Sequence, residues 1–530
     1  MKKTIIILAF FLLIIAAQLY PFFFSENGGK VFMGINYNVV DTNTYFSFMQ
    51  QAEQGHFFFT NKYSVEKFSY LIFNPVYLVA GWLGIFLTPL VSYYLFKLVF
   101  LAIFAYLAYK LLKISVNKDE INTSLLFVLF GSGIGYMFIF LDKFGIKKLE
   151  AIDYWISETN SVALNIAPLH FIVSVCLMIL IVIYYNKFWE TKNPLHFAIF
   201  SFSTLLLGFI HLFDVVVLAI AFALYMLWRL ISKKESFYDI FKYNLVYGFL
   251  AVIPFIYTYI IFGLNPLFSQ WNSQNVLQSP KLMHLVFGYL FPLIFSCAYF
   301  LSLIFHKRKF KEIEVMLFAW VFAGLILLYS PFNIQRRFLE GLNIPIMVLG
   351  SLGFTRIVSP SAEKIVNSIV KIKHSKAILT FLILILISPT SFYWLYKVNA
   401  NTTPYIKIGD YSVPYYLDKS ELEALRWLKS NAEKEDVILS GYAIGNYAPR
   451  ISGNRVFLGH WAQTTSFEKK KAEVEKFFSE NNDIFRKDFI KRYGINYVYY
   501  GTEEQNIGKF KPDYMEKVFE NNRVTIYKAI

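Results

Sequence analysis

Long apolar runs recur along the whole 530-residue chain, each roughly 17 to 25 residues, the length an α-helix needs to cross about 30 Å of hydrocarbon. A backbone in that solvent must satisfy its hydrogen bonds within its own segment, so the runs are read as spanning helices. The composition agrees: 56% of the residues are hydrophobic and 16% charged, against about a quarter charged in a water-soluble chain. The formal net charge of +15 does not describe a nucleic-acid-binding face, because the lysines and arginines punctuate the apolar runs and do not cluster on a soluble domain. Cys176 and Cys297 lie inside apolar runs, which makes them packing residues and excludes a disulfide framework.

The runs predict spans at about 4–20, 88–109, 122–141, 169–186, 195–211, 214–232, 243–262, 283–305, 313–330, 342–358 and 377–395. The first follows Lys2-Lys3 and meets no small-residue cleavage site before Pro21, so it reads as an uncleaved span. Residues 25–86 form a long polar and aromatic outer loop. Its stretch 69–85 is apolar but broken by Asn74-Pro75, Gly81 and Gly84. Charge decides its placement: were it to cross, the cluster Lys110, Lys113 and Lys118 would face outward and every later loop would invert. It is therefore expected to lie in the interface. The N-terminus then faces the cytoplasm, and everything after about residue 396 lies outside the plasma membrane.

The expected fold is an α-helical polytopic membrane bundle of about eleven spans over residues 1–395, with a small extracytoplasmic α/β domain over 396–530. In the tail, residues 418–432 carry helical periodicity through Leu422, Leu425 and Leu428, and Asp436 to Gly441 reads as a strand. Arg455 to Gly459 and Asn496 to Gly501 are two further strands, with helices at Phe467 to Phe478 and Ile484 to Tyr493 between them. No GxGxxG, Walker A, HExxH or CxxC pattern is present, so nucleotide and zinc-hydrolase chemistry have no motif here.

The outer side holds nearly all the residues that could carry chemistry. Asp41, with Tyr45 beside it, sits about twenty residues after the first span, as a solvated charge, a helix N-cap for Asn43 to Gln51, or a catalytic acid. The second outer loop carries Asp153 and Glu158 and ends at Pro168-Leu-His170, with Lys147 and Lys148 as ordinary counter-charges. The short turn His211-Leu-Phe-Asp214 places an imidazole and a carboxylate at the membrane boundary, where ionisable groups are costly unless paired or functional. The fifth outer loop holds Gln335-Arg336-Arg337-Phe-Leu-Glu340-Gly341. Two adjacent outer arginines point to an anion, for which a guanidinium fork suits phosphate, unless Glu340 pairs with one of them. Lys97, within the second span, is an intramembrane cation expected to face the bundle interior. The loop Gly459 to Thr465 reads either as a carbohydrate contact or as a strand-to-helix turn.

In this order the pieces resemble the GT-C class of membrane glycosyltransferases, which includes protein O-mannosyltransferases, the aminoarabinose transferases of lipid A and the oligosaccharyltransferase catalytic subunit. The resemblance is to a bacterial branch with the patterns D-x-x-x-Y, D-x-W-x-x-E followed by P-x-H, and Q-R-R-F-x-E-G, and it spans essentially the whole chain. It implies a polyprenyl-phosphate-linked sugar as donor, inversion at the anomeric carbon, Asp41 as general base, and Arg336, Arg337 and Lys97 at the lipid phosphate. Asp41-Thr42-Asn43 lacks a second aspartate at D-x-D spacing, so a divalent cation, Mg or Mn, would have to be completed by Asp153 and Glu158. The W-W-D-x-G-type motif of oligosaccharyltransferase is absent, which leaves the acceptor open among protein, lipid and polysaccharide. A transporter or flippase would want the same outer arginines, but no second half of the chain resembles the first. A non-catalytic binder of lipid-linked saccharide is the remaining alternative.

Overall fold

The computed structural model describes residues 2–24, 29–145, 150–369, 374–400, 406–408 and 411–530. Contacts divide it into two compact units, each discontinuous in sequence. The first comprises Met1–Gln18, Phe96–Tyr257 and Val276–Val398; the second comprises Leu19–Leu95, Thr258–Asn275 and Asn399–Ile530. Contacts thus group the first outer loop with the tail, whereas the sequence division at residue 395 groups it with the bundle.

The first unit is a helix bundle. Among the described residues seven helices are long and apolar enough to cross a membrane, or nine when two bent pairs each count as one span. Helices Pro194–Ile210 and Glu312–Leu328, of 17 residues each, cover two further runs, so every run read from the sequence carries helix, although the run 122–141 is broken between Ile121–Phe130 and Gly135–Asp142. The expectation of a straight helix at 283–305 is corrected: Leu282–Gly288 and Leu290–Phe305 meet at 89°. Ser375–Ile387 and Pro389–Asn399 meet at 46°, a break set by Pro389, which has no amide N–H to continue the first helix and suits the start of the second. Hydropathy alone does not register a bend, because both limbs remain apolar.

Burial separates central helices from lipid-facing ones. The most apolar window of Leu169–Thr191 and that of the segment 335–366 are each 83% buried, against 17% for Phe237–Gly263. Lipid is as apolar as a leucine side chain, so the buried helices are joined by close packing and polar contacts. Ser351 Oγ donates to Ser124 Oγ at 2.8 Å, and Asn343 Nδ2 donates to Ser161 Oγ at 3.2 Å. Two arginines join other helix ends: half-buried Arg356 forks onto Glu120 at 2.9 Å through both Nε and Nη2, and buried Arg229 pairs with Glu235 and Glu312.

In the second unit, helix Val39–Glu53 packs against Pro75–Gly84. Gly81 permits the approach: a Cβ there would stand 2.5 Å from both the Met49 carbonyl and the Ala52 methyl. Pro75–Gly84 has ten residues and rises about 15 Å, half of a hydrocarbon core, so this stretch does not cross as a helix.

The tail carries a five-stranded sheet. In chain order the strands of this unit are β1 (Lys30–Phe32), β2 (Ile406–Ile408), β3 (Tyr411–Val413), β4 (Tyr416–Asp418), β5 (Val437–Leu439), β6 (Arg455–Val456), β7 (Ile495–Tyr500), β8 (Met515–Glu520) and β9 (Thr525–Ala529). The sheet runs β6-β5-β7-β9-β8, parallel across β6, β5 and β7 and antiparallel across β7, β9 and β8. The β8–β9 hairpin and the helix Tyr442–Ile451 were not expected from the sequence. Helix Lys419–Asn431 starts in a capping box, with Asp418 and Glu421 each accepting a backbone N–H, and lays Leu422, Leu425 and Leu428 into the core. β1 pairs with β4, so the first outer loop contributes a strand to this unit.

Candidate functional site

In the second unit the site is built around Asp41. Asn38 adopts a left-handed conformation (φ 50°, ψ 58°), a state asparagine tolerates, and caps helix Val39–Glu53 by accepting the Asp41 N–H. The cap is therefore Asn38, which corrects the reading of Asp41 as an N-cap. Asp41 lies in the first helical turn, where the helix dipole favours a carboxylate. Asn38 Nδ2 donates to Asp41 Oδ2 at 2.7 Å, and His460 Nε2 lies 2.7 Å from Asp41 Oδ1.

The His460 ring is oriented from its far side. The Ala462 N–H donates to His460 Nδ1 at 3.0 Å, so the neutral ring carries its proton on Nε2 and donates it to Asp41. His460 is buried, while 35% of the Asp41 side chain stays open. The loop holding His460 is tied down by Thr464, which accepts from the Gly459 N–H at 3.1 Å and donates to the Tyr63 carbonyl at 2.7 Å. Arg450 fixes the same helix from below, donating to Asn43 Oδ1 and to the Met33 carbonyl and lying 4.2 Å from the Phe46 ring. Tyr45 stacks flat on Tyr77 at 4.4 Å. His460, Asn38 and Arg450 were not among the residues expected from the sequence. The only sequence signal for His460 was its place in the aromatic, hydroxyl-rich loop after a strand.

In the first unit, Arg336 and Arg337 lie in the turn Gln335–Leu339 and are half-buried. Arg336 lies 5.9 Å from the Trp155 ring and Arg337 5.9 Å from the Phe171 ring. Among the described residues neither guanidinium forms an ion pair. The alternative in which Glu340 pairs with one of the arginines is not met: Glu340 Oε2 lies 2.5 Å from His211 Nδ1, and Asp214 Oδ2 lies 3.5 Å from the same nitrogen. His170 is buried with its ring 4.8 Å from that of His211. Lys97 is buried in the bundle, as expected, and donates to the Ile166 carbonyl at 2.7 Å.

The solvated-loop reading of the second-loop acids is also corrected, since both are buried. Asp153 Oδ2 accepts the N–H groups of Gly133 (2.9 Å) and Gly135 (3.2 Å), closing the break between helices Ile121–Phe130 and Gly135–Asp142. Burial pushes its carboxyl up to about 7 despite those bonds. Glu158 accepts from Ser157 Oγ at 2.8 Å. Lys147 and Lys148 lie outside the described residues. Of the cation set expected from the sequence, Asp41 belongs to the second unit and Asp153 and Glu158 to the first. Among the described residues, the group whose ligand atoms all lie within 4.8 Å of one another is His211, Asp214 and Glu340.

Comparison of the fold finds similar solved structures. An apo oligosaccharyltransferase from Archaeoglobus fulgidus aligns over 94% of this chain and 69% of its own, with TM-score 0.56 and 11% identity. ArnT from Cupriavidus metallidurans bound to undecaprenyl phosphate aligns over 99% and 97%, with TM-score 0.54 and 8% identity. The fold is that of the GT-C class. A second Archaeoglobus structure, AglB in complex with an inhibitory peptide and a dolichol-phosphate, aligns over 95% and 70% at TM-score 0.54 and 12% identity. No family model and no curated sequence matches the chain. The GT-C fold and the apolar helices make this an integral membrane protein.

Proposed function

We propose that this chain is an inverting glycosyltransferase that moves a sugar from a polyprenyl-phosphate-linked donor to an acceptor hydroxyl at the outer face of the cytoplasmic membrane. The observation that carries the reading is Asp41: a carboxylate at a helix N-terminus, aimed by Asn38 and His460 and still partly open, on a GT-C fold. As the acceptor oxygen attacks the anomeric carbon, Asp41 takes its proton. The bond from that carbon to the lipid phosphate breaks, and its electron pair leaves on the phosphate oxygen. Attack from the face opposite the leaving group inverts the centre. Arg336 and Arg337, which form no ion pair among the described residues, and Lys97 are assigned to the charge that grows on the departing phosphate. The tail acts through His460, which holds the base in its working orientation. The lipid-phosphate ligands of the ArnT and AglB structures support the choice of donor.

Asp41→Asn conserves size but cannot accept the proton. It is expected to lower kcat by about 10²- to 10⁴-fold while binding of polyprenyl phosphate is retained. Turnover by purified, correctly inserted Asp41→Asn at near the wild-type rate would remove Asp41 as the base. A wild-type protein that binds the donor and transfers to no hydroxyl would instead be a binder or flippase.

A further inference from the structure

We propose that His211, Asp214 and Glu340 form a site for one divalent transition-metal ion of the zinc class, which clamps the arginine turn to the neighbouring helix hairpin. All three are buried, with 8%, 0% and 1% of their surfaces exposed. Buried polar atoms are normally hydrogen-bonded, yet among the described residues Asp214 Oδ1 and Glu340 Oε1 have no hydrogen-bond partner, and Asp214 Oδ2 and Glu340 Oε2 face only His211 Nδ1. Ligand atoms of all three side chains thus lie within 4.8 Å of one another out of water.

The spacing suits an ion. Ligand atoms about 2.1 Å from a tetrahedral zinc stand about 3.4 Å apart. The separations from His211 Nδ1 are 2.5 Å to Glu340 and 3.5 Å to Asp214, so adjustments of about an ångström would seat the metal. An imidazole nitrogen among the donors favours zinc-class ions over magnesium or calcium, which prefer oxygen alone. His170, Glu158 and Arg337 neighbour the group.

The elements are placed to use such a clamp. His211 joins Pro194–Ile210 to Leu212–Ile231, and Asp214 lies in the first turn of the second helix. Glu340 closes the turn Gln335–Leu339 that presents Arg336 and Arg337. Gly341 follows at φ +72°, a conformation strained for a side chain, with Met178 Sδ 2.8 Å from where a Cβ would stand.

The inference does not depend on sugar transfer, and the test reads metal. Full-length protein in nanodiscs is stripped with a chelator, checked for folding, and titrated with Zn²⁺ and with Co²⁺ as a visible probe. Wild type is expected to bind about one equivalent, with the absorption of tetrahedral cobalt. Glu340→Gln, Asp214→Asn and His211→Ala are each expected to retain less than about a tenth of that, and Asp153→Asn to retain all of it. Folded wild type that takes up no metal would show the triad to be a proton-sharing ion cluster and overturn the proposal. Undiminished stoichiometry in folded Glu340→Gln and Asp214→Asn would place the metal elsewhere and overturn it equally. Both are near-isosteric, so the test stands if His211→Ala fails to fold.

Discussion

Asp41 and His460 are 419 residues apart in the chain and 2.7 Å apart in space, and the direction of that hydrogen bond makes His460 a positioning residue. A hydrogen bond to a charged acceptor is worth about 1.5–3 kcal/mol, so His460→Ala is expected to lower kcat by about 10- to 100-fold with donor KM nearly unchanged. His460→Gln keeps an N–H donor at similar reach and should recover part of that loss. Equal loss in both variants would mean that bulk, not the hydrogen bond, matters. Arg336→Ala and Arg337→Ala act on the donor instead. Each is expected to weaken polyprenyl-phosphate binding by about 10- to 100-fold in a direct titration, and unchanged affinity in both would dissociate the turn from the phosphate. Asp41 and the two arginines stand out in the sequence as an acid in an aromatic loop and a basic pair expected on the outer side, whereas His460 does not. Their partners were not legible there: an arginine was one alternative for Glu340, which lies against His211.

Asp153 acts on two helices at once. Its buried carboxylate joins the amides that interrupt 121–142, and its carboxyl, ordinarily 3.8, rises to about 7 through burial. The folded state therefore holds the proton more tightly than the unfolded chain, so this group's contribution to stability falls as pH rises from about 4 to about 7 and is flat above that. Asp153→Asn should flatten the slope in thermal unfolding over that range, and its turnover should stay within about tenfold of wild type if the acid only positions backbone. Gly81 gives a second check on packing between elements. Gly81→Ala is expected to cost about 1–3 kcal/mol by forcing Val39–Glu53 and Pro75–Gly84 apart, whereas Gly248→Ala meets nothing within 4 Å and should not destabilise. Runs and most strands were read correctly at this scale because they follow local rules, whereas the cap of Val39–Glu53 is Asn38 and not Asp41. The 89° bend at Tyr289 and the β8–β9 hairpin were not read, because long-range packing sets the first and alternating polar residues conceal the second.

Across the whole chain, the second unit collects Leu19–Leu95 and Asn399–Ile530, and within it β1 of the first outer loop pairs with β4 of the tail. With Cys297 replaced by alanine, cysteines at Phe57 and at the 84% exposed Ile484 are expected to react from the same side with an impermeant thiol reagent, and one at Lys307 only from the other. Labelling of Phe57 and Ile484 positions from opposite faces would invert the assignment of residues 69–85. The sequence by itself determined that the chain lives in a bilayer, where its spans begin and end, and that its tail is an α/β domain. Hydrocarbon admits one local solution for an apolar backbone, and that solution is written in consecutive residues. Only the tertiary structure decided which groups meet: His460 reaching Asp41, Asp153 bound to glycine amides, and His211 shared between Asp214 and Glu340. Such contacts join segments remote in sequence, and the free energy that selects them comes from burial and from satisfying buried polar groups, neither of which has a local signature.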